Sequence, residues 1–169
     1  MTIERFDPPF AVDEKTMLVS FLEYHRATLK RKCDGLSPEQ LLSRAVPPSS
    51  LCLLGLVRHL ADVEYAWFRE VFAGEEQRYL YGPGDADLDV READEAEVAR
   101  AWKTFDEQAV AAGAIIAASD LDALSSRTAR RSDHRPTLRW LVVHLIEEYA
   151  RHNGHADLLR EAIDGATGE

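Results

Sequence analysis

Between His144 and Glu161 the chain reads HLIEEYARHNGHADLLRE, and four of these side chains are good ligands for a transition metal: His144, Glu148, His152 and His155. Wound at 3.6 residues per turn, the stretch puts Glu148 about 40° round from His144, His152 about 80° and His155 about 20°. The four form one narrow stripe, and Leu141, Leu145, Leu159 and Ile163 fall on it or beside it. Imidazoles and a carboxylate facing an apolar seam are costly unless they are paired or bind a metal. A catalytic zinc commonly takes three ligands from His, Asp or Glu and keeps a fourth position open. Glu148 and His152, one turn apart, supply two, and His59 on another helix supplies the third. His144 and His155 remain as reserve ligands or as groups that orient the ligands. No glutamate lies between two histidines as in the HExxH helix, so this is not that protease motif. The competing account is metal-free: a hydrogen-bonded histidine core, into which a lone His59 on an apolar face also fits.

The elements that must position these residues are helices. Residues 1–12 are an irregular lead-in, because Pro8-Pro9 bars a helix there. Asp13 caps a first long helix to about Lys32, with Met17, Phe21, Tyr24 and Leu29 marking its apolar face and Gly35 its stop. Ser37-Pro38-Glu39-Gln40 reads as a capping box opening a short helix through Leu42. After the turn at Pro47-Pro48, Ser49 or Ser50 caps a second long helix that runs to Phe72 and closes at Gly74. Its inner face carries Leu53, Leu56, Leu60, Val63, Trp67 and Val71, with His59 at the edge. Residues 74–94 are irregular and contain Gly82-Pro83-Gly84. So long a loop in a compact domain is best explained as a crossover between two parallel helices, with room for a short strand. Asp94 caps the third long helix, to about Ser119, with Val98, Trp102, Phe105, Val110 and Ile115 inward. Pro136 opens the fourth, which ends at Asp164 and Gly165. The expected fold is all-α: a single four-helix domain over residues 1–169, with one long crossover and no clear strand pattern.

Other residues read as scaffold. Trp67 and Trp102 are assigned to the core, Glu147 to the solvated surface, and Arg151 and Arg160 to helix ion pairs with Glu147, Asp157 or Glu161. His25 and His134 have no evident partner. The arginines of residues 127–135 make a solvated loop, with anion binding as a minor option. At 169 residues, with 46% apolar residues and a net charge of −10, the chain is long enough for one real core and lacks the positive footprint of a nucleic-acid binder. No apolar run reaches the length of a membrane span, and the N-terminus has no basic start followed by an apolar stretch. Two cysteines without a CxxC, Cys33 and Cys52, fit a reduced cytoplasmic protein with no disulfide.

Two stretches, GLVRHLADVEYAWFREVFAG at residues 55–74 and LVVHLIEEYARHNGHADLLREAIDG at residues 141–165, resemble the DinB/YfiT-like superfamily of metal-binding four-helix proteins. Within it the chain is similar to the mini-circle-type branch and to the N-terminal domain of mycothiol-dependent maleylpyruvate isomerase. The resemblance covers nearly the whole chain, and the second stretch is its distinctive part. It implies an up-down-down-up bundle, frequent homodimers, and metal ligands at the positions of His59, Glu148 and His152. Many members have histidine where Glu148 stands; the glutamate is more like the isomerase branch. Members commonly follow the last ligand with Arg-Gly-Gln, whereas Asn153-Gly154-His155 stands here, which raises His155 as a further ligand or proton carrier.

By that resemblance the expected activity is a metal-dependent transfer of a low-molecular-weight thiol, mycothiol-like, to a small electrophile in detoxification or stress. A divalent metal would lower the pKa of the cofactor thiol, the thiolate would attack, and His144 or His155 would move protons. Zinc leads, with nickel, iron and manganese as other fits. The isomerase-like relatives carry a further C-terminal domain and this chain ends just after the fourth helix, so their substrate does not transfer. The alternatives are a noncatalytic metal-binding or structural dimeric bundle and a metal-dependent hydrolase.

Overall fold

A computed structural model describes residues 3–84, 87–129 and 132–168. The helices are α1 (Glu14–Cys33), α2 (Pro38–Leu41), α3 (Leu53–Glu64), α4 (Glu95–Ala118) and α5 (Leu138–Asp164), and α3 continues without a break into a π-helical segment, Tyr65–Phe72. Among the described residues there is no strand. The one isolated bridge joins Leu124 to Thr137 in the loop before α5, so the short strand allowed for in the crossover is absent from its described part.

Most helix ends follow local chemistry. Asp13 accepts from Thr16 N, Asp94 from Glu97 N, and Ser37 and Gln40 make a reciprocal capping box. Gly165 closes α5 at φ 77°, a left-handed conformation that costs glycine little. Two starts differ from expectation. The cap of α3 is Cys52, whose Sγ accepts from Gly55 N at 3.4 Å. Ser49 is already occupied, its hydroxyl accepting from Leu51 N at 3.2 Å in the turn after the prolines. The cap of α5 is Thr137, so Pro136 precedes the helix instead of opening it.

Packing joins α1 to α5, α3 to α4 and α3 to α5 around Leu22, Leu29, Leu56, Leu60, Phe68, Phe105, Leu141, Leu145 and Tyr149, all fully buried. Two helix faces are rotated from expectation. On α1 the buried line runs through Leu22, Arg26, Leu29 and Cys33, while Phe21 is exposed. On α4 it runs through Ala101, Phe105, Gln108, Ala112 and Ile116, leaving Val110 in water. Each line includes a polar residue, which hid it from a reading by apolar spacing.

Arg26 explains the first case. Its Nε and Nη2 each donate to Glu64 at 2.7 Å, and Tyr149 Oη donates to Glu64 Oε1 at 3.0 Å. Arg26, Glu64 and Tyr149 are all buried, so one bidentate ion pair and one phenol tie α1, α3 and α5 together in the core. Both cysteines are free and buried, and burial pushes the Cys33 thiol up to about 12 and the Cys52 thiol also upward. Neither is a thiolate at neutral pH. No helix of the described residues is long and apolar enough to cross a membrane.

Candidate metal centre

α3 and α5 meet along a seam in which His59 faces His152, their ring centroids 4.8 Å apart. Glu148 lies one turn before His152, and its Oε2 is 3.5 Å from His152 Nε2. One donor atom from each of His59, Glu148 and His152 can be chosen so that all lie within 4.8 Å of one another. Two helices therefore bring together the three residues expected as ligands. His152 is buried, while His59 and Glu148 are half-buried, which leaves the group reachable from one side.

The loop before α4 contributes a fourth residue, Asp87, whose Oδ2 is 2.6 Å from His59 Nδ1. With the proton on Nδ1 donated to the carboxylate, the lone pair of Nε2 is free for a ligand. Burial pushes the Asp87 carboxyl up, but the His59 bond and charge and the Leu88 N–H outweigh it and hold it below the usual range. Asp87 is where it is because of Gly55. A Cβ at Gly55 would stand 2.7 Å from the Leu88 carbonyl oxygen, so the loop backbone at Leu88 lies directly on α3 one turn before His59. Gly55→Ala is expected to push Leu88 and Asp87 outward at a cost of about 1–3 kcal/mol, read as a lower urea midpoint. An unchanged midpoint would mean that the loop yields freely.

His152 is held from its other edge. Its Nδ1 lies 3.3 Å from His155 Nδ1, so one ring donates to the other, and donation by His152 again leaves its Nε2 lone pair free. His155 thus engages the edge of His152 away from Glu148. His144 sits one turn before Glu148, its Nε2 3.8 Å from Glu148 Oε1 and its Nδ1 3.5 Å from exposed Glu147 Oε2. Its ring stacks on Trp140 at 4.9 Å and meets Trp67 edge-on at 4.8 Å. Trp67 and Trp102 are both half-buried and pack against the core as expected; Trp67 also borders the seam, and Trp102 packs against Phe105.

Burial, then the neighbouring His59 and His155, pull the His152 imidazole down to about 4 from an ordinary 6.5. The unfolded chain binds this proton more readily, so the stability of metal-free protein should rise with pH between about 4 and 6.5. On the order of 2–3 kcal/mol should be lost on acidification through that window. Urea unfolding of His152→Gln beside the parent isolates this contribution; equal slopes with pH would remove it.

The remaining residues fall into place as scaffold. Arg151 pairs with Glu147 at 2.9 Å as expected, whereas Arg160 pairs with Asp164 at 2.9 Å and caps α1 through the Asp34 carbonyl. Asp157 pairs instead with Lys32 at 2.6 Å. His25 has a partner, Asn153, whose Nδ2 is 3.0 Å from the His25 carbonyl. In residues 127–135, Arg127 and Arg135 donate to the carbonyls of Gly74 and Ser125, so these two are not free for an anion; Arg130 and Arg131 lie outside the described residues. Asp87 and the Arg26–Glu64 pair were missed from the sequence. A charge at Arg26, on the same helical line as Leu22 and Leu29, was the available signal for the pair; Asp87, in an acidic loop, gave none.

The donor set suits a divalent ion. Two imidazoles and a carboxylate are a common three-ligand shell for zinc, and both rings have their second nitrogen engaged elsewhere. A family model described as Mycothiol-S-transferase matches residues 17–165. No curated protein matches the chain.

Proposed function

The chain belongs to the mycothiol-S-transferase family, and from that premise we propose that it transfers mycothiol to a small electrophile with a divalent metal held by His59, Glu148 and His152. The observation that carries the proposal is the convergence of those three donors, from two helices, within 4.8 Å. Zinc is the first candidate, and nickel, iron and manganese accept the same ligands. Three protein ligands leave a position open, and a metal there would lower the pKa of a thiol so that thiolate is present at neutral pH.

The chain's own residues do the rest. Asp87 and His155 fix the two imidazoles. His144 receives the thiol proton at Nε2 and passes a proton from Nδ1 towards Glu147 at the surface. The sulfur forms the new C–S bond, and the leaving group departs with the electron pair of the bond it breaks. Where the electrophile is an unsaturated carbon, the adjacent carbanion takes up the proton instead. The buried, protonated Cys33 and Cys52 favour a cofactor thiol as the nucleophile. Detoxification of reactive small molecules in the cytoplasm is the role that such chemistry serves.

The same reading includes an up-down-down-up bundle. Arg139–Glu14 contacts near the starts of α5 and α1, and Lys32–Asp157 near their ends, support a parallel pair. Arg58–Glu97 followed by Arg69–Gln108 supports α3 parallel to α4, with residues 73–94 as the crossover. His59 on His152, with Trp67 on His144, supports α3 antiparallel to α5. Assembly as a homodimer, which sedimentation would measure, completes it.

The test is turnover of mycothiol with a panel of electrophiles by zinc-loaded protein, beside His59→Ala and Glu148→Ala. Conjugate formed by the parent and lost in both variants is expected. Hydrolysis of an activated ester without any thiol, and no conjugate, would replace the transferase with a hydrolase.

A further inference from the structure

The loop before α5, the start of α5 and Trp67 of the π-helical segment line an open cavity of about 500 Å³. Trp67, Ser132, His134, Pro136, Thr137 and Trp140 line it. The two indoles stand 5.4 Å apart, tilted by 58°. His144, stacked on one and edge-on to the other, forms the partition between this cavity and Glu148. From Trp140 to Glu148 is two helical turns, about 12 Å along the axis. The cavity and the donor group are two ends of one seam.

Its chemistry selects an occupant. Trp140 is 48% exposed, and its indole borders the cavity beside His144. Its described polar lining is Thr137, which accepts from Trp140 N, Ser132, which accepts from His134 N, and His134. The described lining is mostly apolar, so a flat apolar ring would gain contact with both indoles.

We infer that the electrophile carries a planar aromatic group, which packs against the cavity-facing surfaces of Trp67 and Trp140 while its reactive carbon extends past His144 to the donors. The word electrophile rests on the transferase reading; the aromatic pocket does not. Trp140 and Trp67 are then specificity-determining residues.

Calorimetric titration with 2-naphthol and its saturated analogue decahydro-2-naphthol tests the pocket directly, without turnover. Binding of the aromatic alcohol about tenfold tighter than the saturated one is expected, with about a tenfold loss in Trp140→Ala and none in His59→Ala. Circular dichroism melting confirms that Trp140→Ala folds. Equal affinity for the two alcohols, or undiminished binding in folded Trp140→Ala, would overturn the inference. So would absence of binding, and a dimer that Trp140→Ala dissociates would then make the indole face an interface between copies. Selective naphthol binding in a protein that conjugates no electrophile would uphold the pocket and sink the transferase reading. Conjugation without naphthol selectivity would do the reverse.

Discussion

Glu64→Ala is expected to destabilise the protein by about 3–5 kcal/mol, the largest effect of any single change considered. Glu64 has no exposed side-chain surface, and Arg26 is almost as deeply buried. The pair itself adds little net stability, because two charges had to leave water to form it. Removing one partner is different. The Arg26 guanidinium would be left in the core with only Glu23, at 2.6 Å on the surface side, and Tyr149 would lose its acceptor. Glu64→Gln keeps the size and an acceptor but not the charge, and should fall between parent and alanine. Urea unfolding measures all three. A loss below about 1 kcal/mol in Glu64→Ala would mean that Arg26 swings out to water, and that the pair does not clamp the helices.

Asp87→Ala is expected to weaken divalent-metal binding by about 10–100-fold while leaving the three ligands in place. The carboxylate holds His59 at 2.6 Å, sets its tautomer and adds basicity to Nε2. Without it, His59 is free to rotate and to carry its proton on either nitrogen. Asp87→Asn should retain much of the affinity, because an amide oxygen still accepts from Nδ1. Competition with a chromophoric chelator gives the numbers. Equal affinity in parent and Asp87→Ala would reduce Asp87 to a surface contact of its loop, and a loss as large as that of His59→Ala would make it a ligand.

How far the sequence spoke depended on whether a residue obeys a local period. The convergence of His59, Glu148 and His152 was legible because helical spacing puts two of them on one stripe and the third on the edge of another apolar face. The caps Asp13, Ser37 and Asp94, and the stop at Gly165, are contacts within four residues and were read correctly. Cys52 was not, because a thiol is a rare cap and the serines before it looked better. The faces of α1 and α4 were misread where Arg26 and Gln108 interrupt the apolar line and exposed Phe21 and Val110 imitate it. Asp87 depends on the loop backbone at Leu88 lying across Gly55, a contact between residues more than thirty positions apart that no periodicity encodes. The eight-residue π-helical segment, which begins straight after Glu64 and carries Trp67, likewise left no mark in the apolar spacing.

The central claim is that His59, Glu148 and His152 hold one divalent metal. Its most direct test is elemental analysis of untagged protein, beside His59→Ala, Glu148→Ala and His25→Ala. About one zinc, nickel, iron or manganese per chain is expected in the parent and in His25→Ala, and little in the other two. Parent protein that stays metal-free after reconstitution, or equal metal in all four proteins, would contradict the claim and leave the stripe as a histidine network of the core.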